Sequence, residues 1–418
     1  MTSFVNSDIR SSPSWAGKPD RFHIQPPPRG AGNSSEIPAF AQPQEVGHFS
    51  VTANRSVIPD RHQLRYLALP DPTVNVRSLN FDLNQGYETW IERDDVNVKE
   101  YIDPILRWLL SVRAEHIKSS SSLKSACFDA DFVCWRGLLT KLATTPYENR
   151  EGWIVCAVQF RGVIFLCEFD TEAKKRERVE MTETQRRMSY WGYRFEHYVT
   201  TAANSVDAES PKSMSDRSVI NISPINTNEQ YCSIVRSKLA DRHRLLFAGE
   251  TDCARSPAAP QRLNAAPEPQ PQPHYVELKT SRIWSHPRQE QNFWRFKVLK
   301  WWLQSFLIGI PEIVCGFRND DGMVKSIKTF STQQLPGSAQ RSVGMSSWSP
   351  AGSLGFLSDL LDFLKSEFSD SQESEPYRVV KLAYDPAVSR NSVSVERFEP
   401  NSNEFRFIPD WFIAGCQR

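Results

Sequence analysis

The chain has 418 residues, with 50 basic and 49 acidic side chains and a formal net charge of +1. That balance excludes indiscriminate nucleic-acid binding through a global basic field, so any affinity for a polyanion has to come from a local cleft. No apolar signal-like region follows Met1 and no run of about eighteen apolar residues occurs, so the expectation is a protein neither secreted nor membrane-spanning.

Residues 1–45 are rich in Pro, Ser and Gly, include Pro26-Pro27-Pro28, and cannot bury enough apolar area to fold alone. They read as a disordered N-terminal tail, followed by one catalytic domain over 46–418. Ordered structure starts with Phe49, Val51 and Val57 and continues through Gln63–Leu67. Tyr101–Leu110 has helical spacing. The apolar run Phe132–Trp135 ends at Arg136-Gly137. A guanidinium there is costly to bury unpaired, and phosphate is a natural bidentate partner for it.

Ile154–Phe160 and Val163–Phe169, split by Arg161-Gly162, read as a hairpin. Glu168 on its second strand reads as a solvated or ion-paired carboxylate. Glu183–Thr200 reads as a helix with Met188, Trp191 and Phe195 as its inward stripe and Glu196 beside it. Flexible loops are expected near 202–228 and 254–273, the second carrying six prolines between Pro257 and Pro273. A helix is expected from about Asn292, ended by Gly309 and Pro311, with Lys297, Lys300 and Gln304 as a polar stripe. Glu312–Phe317 reads as a strand, Asp320-Asp321-Gly322 as a turn before Met323-Val324, and Ser353–Phe368 as an amphipathic helix. The eight cysteines show no C-x-x-C pair and read as reduced, buried thiols of an intracellular protein.

The chemistry concentrates in two triplets, Glu250-Thr251-Asp252 after the apolar run Leu245–Phe247 and Glu277-Leu278-Lys279 after Tyr275-Val276. On strands, residues two apart share a face, which sets Glu250 beside Asp252 and Glu277 beside Lys279. Converging carboxylates repel unless a hard divalent cation neutralises them, and an all-oxygen set favours Mg²⁺ or Mn²⁺ over zinc. A neighbouring lysine suits charge building up on a phosphate. Arg136, Arg194, Lys279, Arg282, Lys297 and Lys300 are the candidates to line a cleft for a polyanion.

Taken in order, Trp135-Arg136-Gly137, Gly192-Tyr193-Arg194-Phe195-Glu196, the two acidic triplets and the Lys300–Gly309 helix with Gln304 resemble the DXO family of RNA 5′-end decapping nucleases. That family includes the nuclear partner of the 5′→3′ exoribonuclease. The resemblance implies a mixed α/β (α+β) fold with central mixed sheets flanked by helices, similar to D-E-x-K nuclease cores. It implies Glu196, Glu250, Asp252 and Glu277 as metal ligands, joined by the Leu278 carbonyl, with Mg²⁺ or Mn²⁺ as cofactor. Glu250, Asp252, Glu277 and Lys279 would be catalytic, and Arg136, Glu196, Lys279 and Gln304 would face the substrate.

The implied activity is hydrolysis at a single-stranded RNA 5′ end. Triphosphate, incompletely capped or NAD-capped RNA would be cut to leave 5′-monophosphate RNA, with 5′→3′ exonuclease activity as an extension. The implied setting is the nucleus rather than the cytoplasm. The alternatives are a non-catalytic stabilising partner of a nuclear 5′→3′ exoribonuclease and a DNA nuclease of the same core. Thr251 is polar where the family motif is apolar, and the proline-rich loop departs in length.

Overall fold

Two mixed β-sheets carry the fold in a computed structural model that describes residues 17–25, 36–70, 81–116, 122–202, 224–255, 273–344, 347–369, 378–398 and 405–417. The large sheet has ten strands, ordered Arg21–His23, Ser392–Phe398, Val379–Tyr384, Trp153–Phe160, Val163–Phe169, Phe132–Trp135, His243–Glu250, Gln230–Leu239, Gln44–Val51 and Val57–Ile58. The small sheet has six, ordered Val324–Ser331, Glu312–Arg318, Tyr275–Arg282, Cys253–Ala254, Arg65–Leu67 and Thr200–Ala202. Each mixes parallel and antiparallel pairs, as the sequence reading expects.

The His243–Glu250 strand shows why the large sheet is sandwiched. Leu245 and Phe247 point into one apolar cluster, Leu246 and Ala248 into another. A strand buried on both faces reads as a continuous apolar run, which is how this one is written. One face is covered by helices Arg136–Thr144, Val298–Ile308 and Pro350–Glu367, the other by helices Asp103–His116 and Asp410–Gln417. A third cluster packs Trp191 and Phe195 of the Glu183–Val199 helix onto Leu278 and Val314 of the small sheet. Side chains such as Phe195 and Phe247, fully withdrawn from water, each contribute roughly 1.5–3 kcal/mol.

The hairpin turns on Arg161 and Gly162, whose φ values of 48° and 76° fit a type I′ turn between twisted strands. All eight cysteines are buried, and none is paired in a disulfide. Among the described residues no helix is long and apolar enough to cross a membrane.

Several expectations need correction. The segment expected to be a disordered tail contains a strand, Arg21–His23, paired with Ser392–Ser394, and the following Ile24 is buried. Such a segment cannot fold alone, but it can add to an edge the rest of the chain supplies. The domain boundary also moves, since the next strand begins at Gln44. Met188 faces solvent, at 44% exposure, and the inward face of its helix is Tyr190, Trp191, Arg194, Phe195 and Tyr198. The helix expected from Asn292 opens with a π-helical turn at Phe293–Lys297 and continues as α-helix over Val298–Ile308. Most of the two expected flexible loops, 203–223 and 256–272, lies outside the described residues.

Candidate active site

The two sheets meet where the chain leaves the large one after Glu250 and enters the small one at Cys253. Thr251 bridges the crossing. Its N–H donates to the Tyr231 carbonyl at 3.0 Å, and its buried hydroxyl lies 3.5 Å from the Gly249 carbonyl. Cys253 stands opposite Val276 in an antiparallel pair, a register that sets Asp252 across from Glu277. Glu250 and Asp252 therefore do not alternate along one strand, as their spacing suggests. They converge because the chain changes sheets between them.

On the Tyr275–Arg282 strand, Glu277, Lys279 and Ser281 share a face. Glu277 is fully buried. One of its oxygens is ion-paired with Lys279 Nζ, and the other, Oε2, has no hydrogen-bond partner. The partner strand ends at Cys253, so the Leu278 N–H finds no backbone acceptor there and donates to Asp252 Oδ2 at 2.6 Å. In a strand a residue's N–H and C=O point to the same side, which turns the Leu278 carbonyl toward the same gap.

Glu196 arrives from the Glu183–Val199 helix, which opens with a capping box between Thr182 and Gln185. The Phe195 ring lies so close to Gly316 that a Cβ there would come within 2.5–2.9 Å of three ring atoms. This close seating carries the next residue, Glu196, to the acidic centre.

The electrostatics follow from the crowding. Burial pushes the Glu196 carboxyl well above its ordinary range, and the Asp252 and Glu250 charges push it further. Burial, then Glu277, pushes Asp252 up to about 7. Glu250, which opens to the cleft, is also raised by its surroundings, though Arg93 and Arg136 pull it back. Burial works against the Lys279 ammonium, but Glu277 and Asp252 outweigh it and hold the lysine above its usual value. These are the field conditions that a cation relieves.

Arg136, the first residue of its helix, is buried. Its guanidinium donates to the Glu250 carbonyl at 2.8 Å and the Gln304 carbonyl at 3.2 Å. These two bonds tie the end of the acidic strand to the Val298–Ile308 helix. A Cβ at Gly249 would meet Arg136 Nε at 3.0 Å and Ile308 Cδ1 at 2.6 Å, so the glycine permits this seat. Half-buried Gln304 contributes its backbone to that tie.

The other basic candidates divide. Arg194 is buried under Tyr198 and donates to Gln85 at 3.0 Å, which removes it from the cleft. Arg282 is paired with Asp320. Lys300 reaches Glu148 and Glu151 at 3.1 Å, and Lys297 contacts the Ser281 hydroxyl at 3.4 Å. Glu168 is paired with Lys141 and Lys174, as expected of a structural carboxylate.

A cleft of about 420 Å³ holds Glu196, Glu250 and Asp252, with Trp90 and Tyr193 among its walls. A second cavity of about 370 Å³ is lined by Ser281, Lys297, Lys300, Trp284, Phe293 and Phe296, toward the far end of the Glu277 strand. Arg93 and Gln230 also line the first cleft. Sequence reasoning missed both, because Gln230 merely precedes an apolar run and Arg93 sits in an ordinary charged stretch.

The donor set fits a hard divalent cation. It consists of carboxylates that repel one another, an orphaned buried oxygen on Glu277 and a carbonyl aimed at the same gap. Among the described residues no three acidic, histidine or cysteine side chains are gathered tightly enough to enclose a cation by themselves. Carbonyl, water or phosphate oxygens would have to complete its shell.

Comparison with known proteins gives one answer. The family model described as "RAI1 like PD-(D/E)XK nuclease" matches residues 41–413. The decapping and exoribonuclease protein of Bos taurus is 38% identical over 382 residues, covering 91% of this chain and 87% of that protein. The decapping nuclease RAI1 of Neurospora crassa is 31% identical over 375 residues, covering 88% and 82%. Candida albicans Rai1, solved in complex with pU5 and Mn²⁺, superposes with a TM-score of 0.74 at 24% identity, covering 95% of this chain and 99% of that one. Scheffersomyces stipitis Rai1, solved with (3′-NADP)⁺ and calcium ion, gives 0.75 at 21% identity over the same shares. The sheet crossing, the acidic centre it creates and these matches agree: the chain belongs to the RAI1-like PD-(D/E)XK nucleases, the family of the decapping nucleases of animals and fungi.

Proposed function

We propose that this protein hydrolyses the 5′ end of single-stranded RNA in a divalent-metal-dependent reaction. Triphosphate, incompletely capped or NAD-bearing ends would be converted to 5′-monophosphate RNA. The observation that carries the reading is the crossing itself, where Asp252 faces Glu277 across a register, with Glu250, Glu196 and Lys279 beside them. Glu196, Glu250, Asp252, Glu277 and the Leu278 carbonyl would hold the metal, Mg²⁺ or Mn²⁺. When bound, such an ion neutralises phosphate charge and lowers the pKa of a coordinated water.

The protein's own groups do the rest. Lys279, held protonated by its two carboxylate neighbours, offers positive charge where negative charge develops on the scissile phosphate. Arg136 and the Leu278 N–H fix the backbone and side-chain positions of Glu250 and Asp252. The second cavity sets Lys297 beside Trp284, Phe293 and Phe296, the mixture of a cation and ring faces that tracks an unpaired strand. It would receive the RNA body, and the cleft with Trp90 and Tyr193 would receive the departing 5′ group. The ligands named in the two Rai1 structures, pU5 with Mn²⁺ and (3′-NADP)⁺ with calcium, support a site that takes a divalent cation together with an RNA 5′ end or a dinucleotide. Continued 5′→3′ degradation, a nuclear location and association with a 5′→3′ exoribonuclease extend the same reading.

The test uses 5′-triphosphate, cap-bearing and NAD-bearing RNA with Mn²⁺, Mg²⁺ or chelator, comparing wild type with Glu250→Ala/Asp252→Ala. The reading requires metal-dependent 5′-monophosphate product that the double variant does not make. A folded protein that yields no product from any substrate would instead be a non-catalytic partner, and faster turnover of DNA would make it a DNA nuclease.

A further inference from the structure

Two arginines, Arg93 on the wall of the cleft and Arg55 in a neighbouring pocket, look available to a phosphate and are not. Arg55 is paired bidentately with Glu100, at 2.9 and 2.6 Å, and Arg93 with Asp95, at 2.6 and 2.9 Å. Each uses its remaining Nη1 on the same acceptor, Gln230 Oε1, at 3.1 Å from Arg55 and 3.2 Å from Arg93. A guanidinium can only donate, so two of them converging on one atom define which end of the amide is oxygen. The Gln230 amino group is thereby turned the other way, and Nε2 lies 3.3 Å from Glu250 Oε2, to which it donates.

We infer that Gln230 is a positioning residue for the reaction: two arginine–carboxylate pairs lock its amide so that its N–H₂ holds the Glu250 carboxylate in the geometry the metal requires. Arg136 holds the Glu250 carbonyl and Gln230 holds its side chain, so the residue is fixed at both ends. Neutralised by their own carboxylates, Arg55 and Arg93 serve the site through Gln230 and not as phosphate ligands. The inference rests on the metal-dependent reading above. Partners that orient a metal ligand are worth about 10–100-fold in metal affinity or activity.

The test is a double-mutant cycle between Gln230→Met and Glu250→Gln, read as Mn²⁺ affinity by titration calorimetry, with single-turnover cleavage of 5′-triphosphate RNA in parallel. Gln230→Ser repeats the cycle if thermal melting shows that the methionine disturbs folding. Gln230→Met is expected to weaken Mn²⁺ binding by about 10-fold or more in the wild-type background and to add little in the Glu250→Gln background. Equal losses in both backgrounds, or none in either, overturn the positioning role. Non-additive losses of Mn²⁺ affinity in a protein that cleaves no RNA support the positioning role while overturning the hydrolase reading. A wild type that binds no Mn²⁺ overturns both.

Discussion

Gly316→Ala tests whether the seat of the Glu183–Val199 helix sets activity. The added Cβ would stand 2.5, 2.8 and 2.9 Å from three atoms of the Phe195 ring. Ordinary carbon contacts sit at about 3.5–4.0 Å, so the ring and its helix must retreat by roughly 1 Å. Overpacking of this kind costs about 1–3 kcal/mol. At about 2.1 cal/mol/K of unfolding entropy per residue, a chain of 418 residues loses about 1 °C of Tm for each kcal/mol, so the melting shift should be only about 1–3 °C. Glu196 follows Phe195 directly, and a 1 Å misplacement of a reacting constellation costs roughly 100-fold in rate. The expected result is a small change in Tm beside a roughly 100-fold slower single-turnover cleavage of triphosphate RNA. Phe195→Leu in the same chain should recover part of the rate by vacating the ring's space. Wild-type cleavage by Gly316→Ala would refute the claim that this contact positions Glu196.

Other expectations follow from named interactions. Lys279→Met leaves fully buried Glu277 without its cation, at a cost of about 3–5 kcal/mol. Its Tm in chelator should fall below wild type and rise again on adding Mn²⁺, and a Tm indifferent to chelator and metal would contradict the pairing. Asp131 accepts from Lys365, Lys124 and Arg244 at 2.9–3.0 Å; burial opposes its charge, but these partners hold its carboxyl well below the usual range. A depressed folded pKa contributes stability present above the unfolded value of about 3.9 and lost as pH falls below it. The Tm gap between wild type and Asp131→Asn, corresponding to about 1.5–3 kcal/mol at pH 7, should therefore hold down to about pH 4 and then narrow progressively as pH falls toward the depressed folded value, whereas a gap that stays constant below pH 4 would reject the assignment. Lys297→Met should weaken binding of a fluorescent oligouridylate and lower the salt slope by about 0.7, with no change in Mn²⁺ affinity. An unaltered slope would remove Lys297 from the RNA path.

The acidic triplets, the hairpin and the Gly309 helix end were legible because each depends on local rules of strand period, turn geometry and capping. The convergence of Glu250 and Asp252 was expected for an incomplete reason. The i, i+2 spacing hides a change of sheet that only long-range pairing with Tyr231 and Val276 reveals. Arg136 was legible as a buried cation needing a partner, yet the partners are carbonyls more than a hundred residues away, which no local pattern encodes. The π-helical turn at Phe293–Lys297 is written in no short motif. Gln230 was invisible because its importance comes from three side chains that the fold gathers around it, Arg55, Arg93 and Glu250.

The passage of the chain from one sheet to the other at Thr251 makes the reactive centre a joint. Glu250 is anchored in one layer, Glu277 in the other, and Glu196 in a helix resting on the second. A nuclease built this way reports on the contact between its layers: a slippage too small to cost either sheet a hydrogen bond would pull the carboxylates apart. Activity in rising denaturant should then vanish before circular dichroism changes, with the loss of function marking the loosening of that seam.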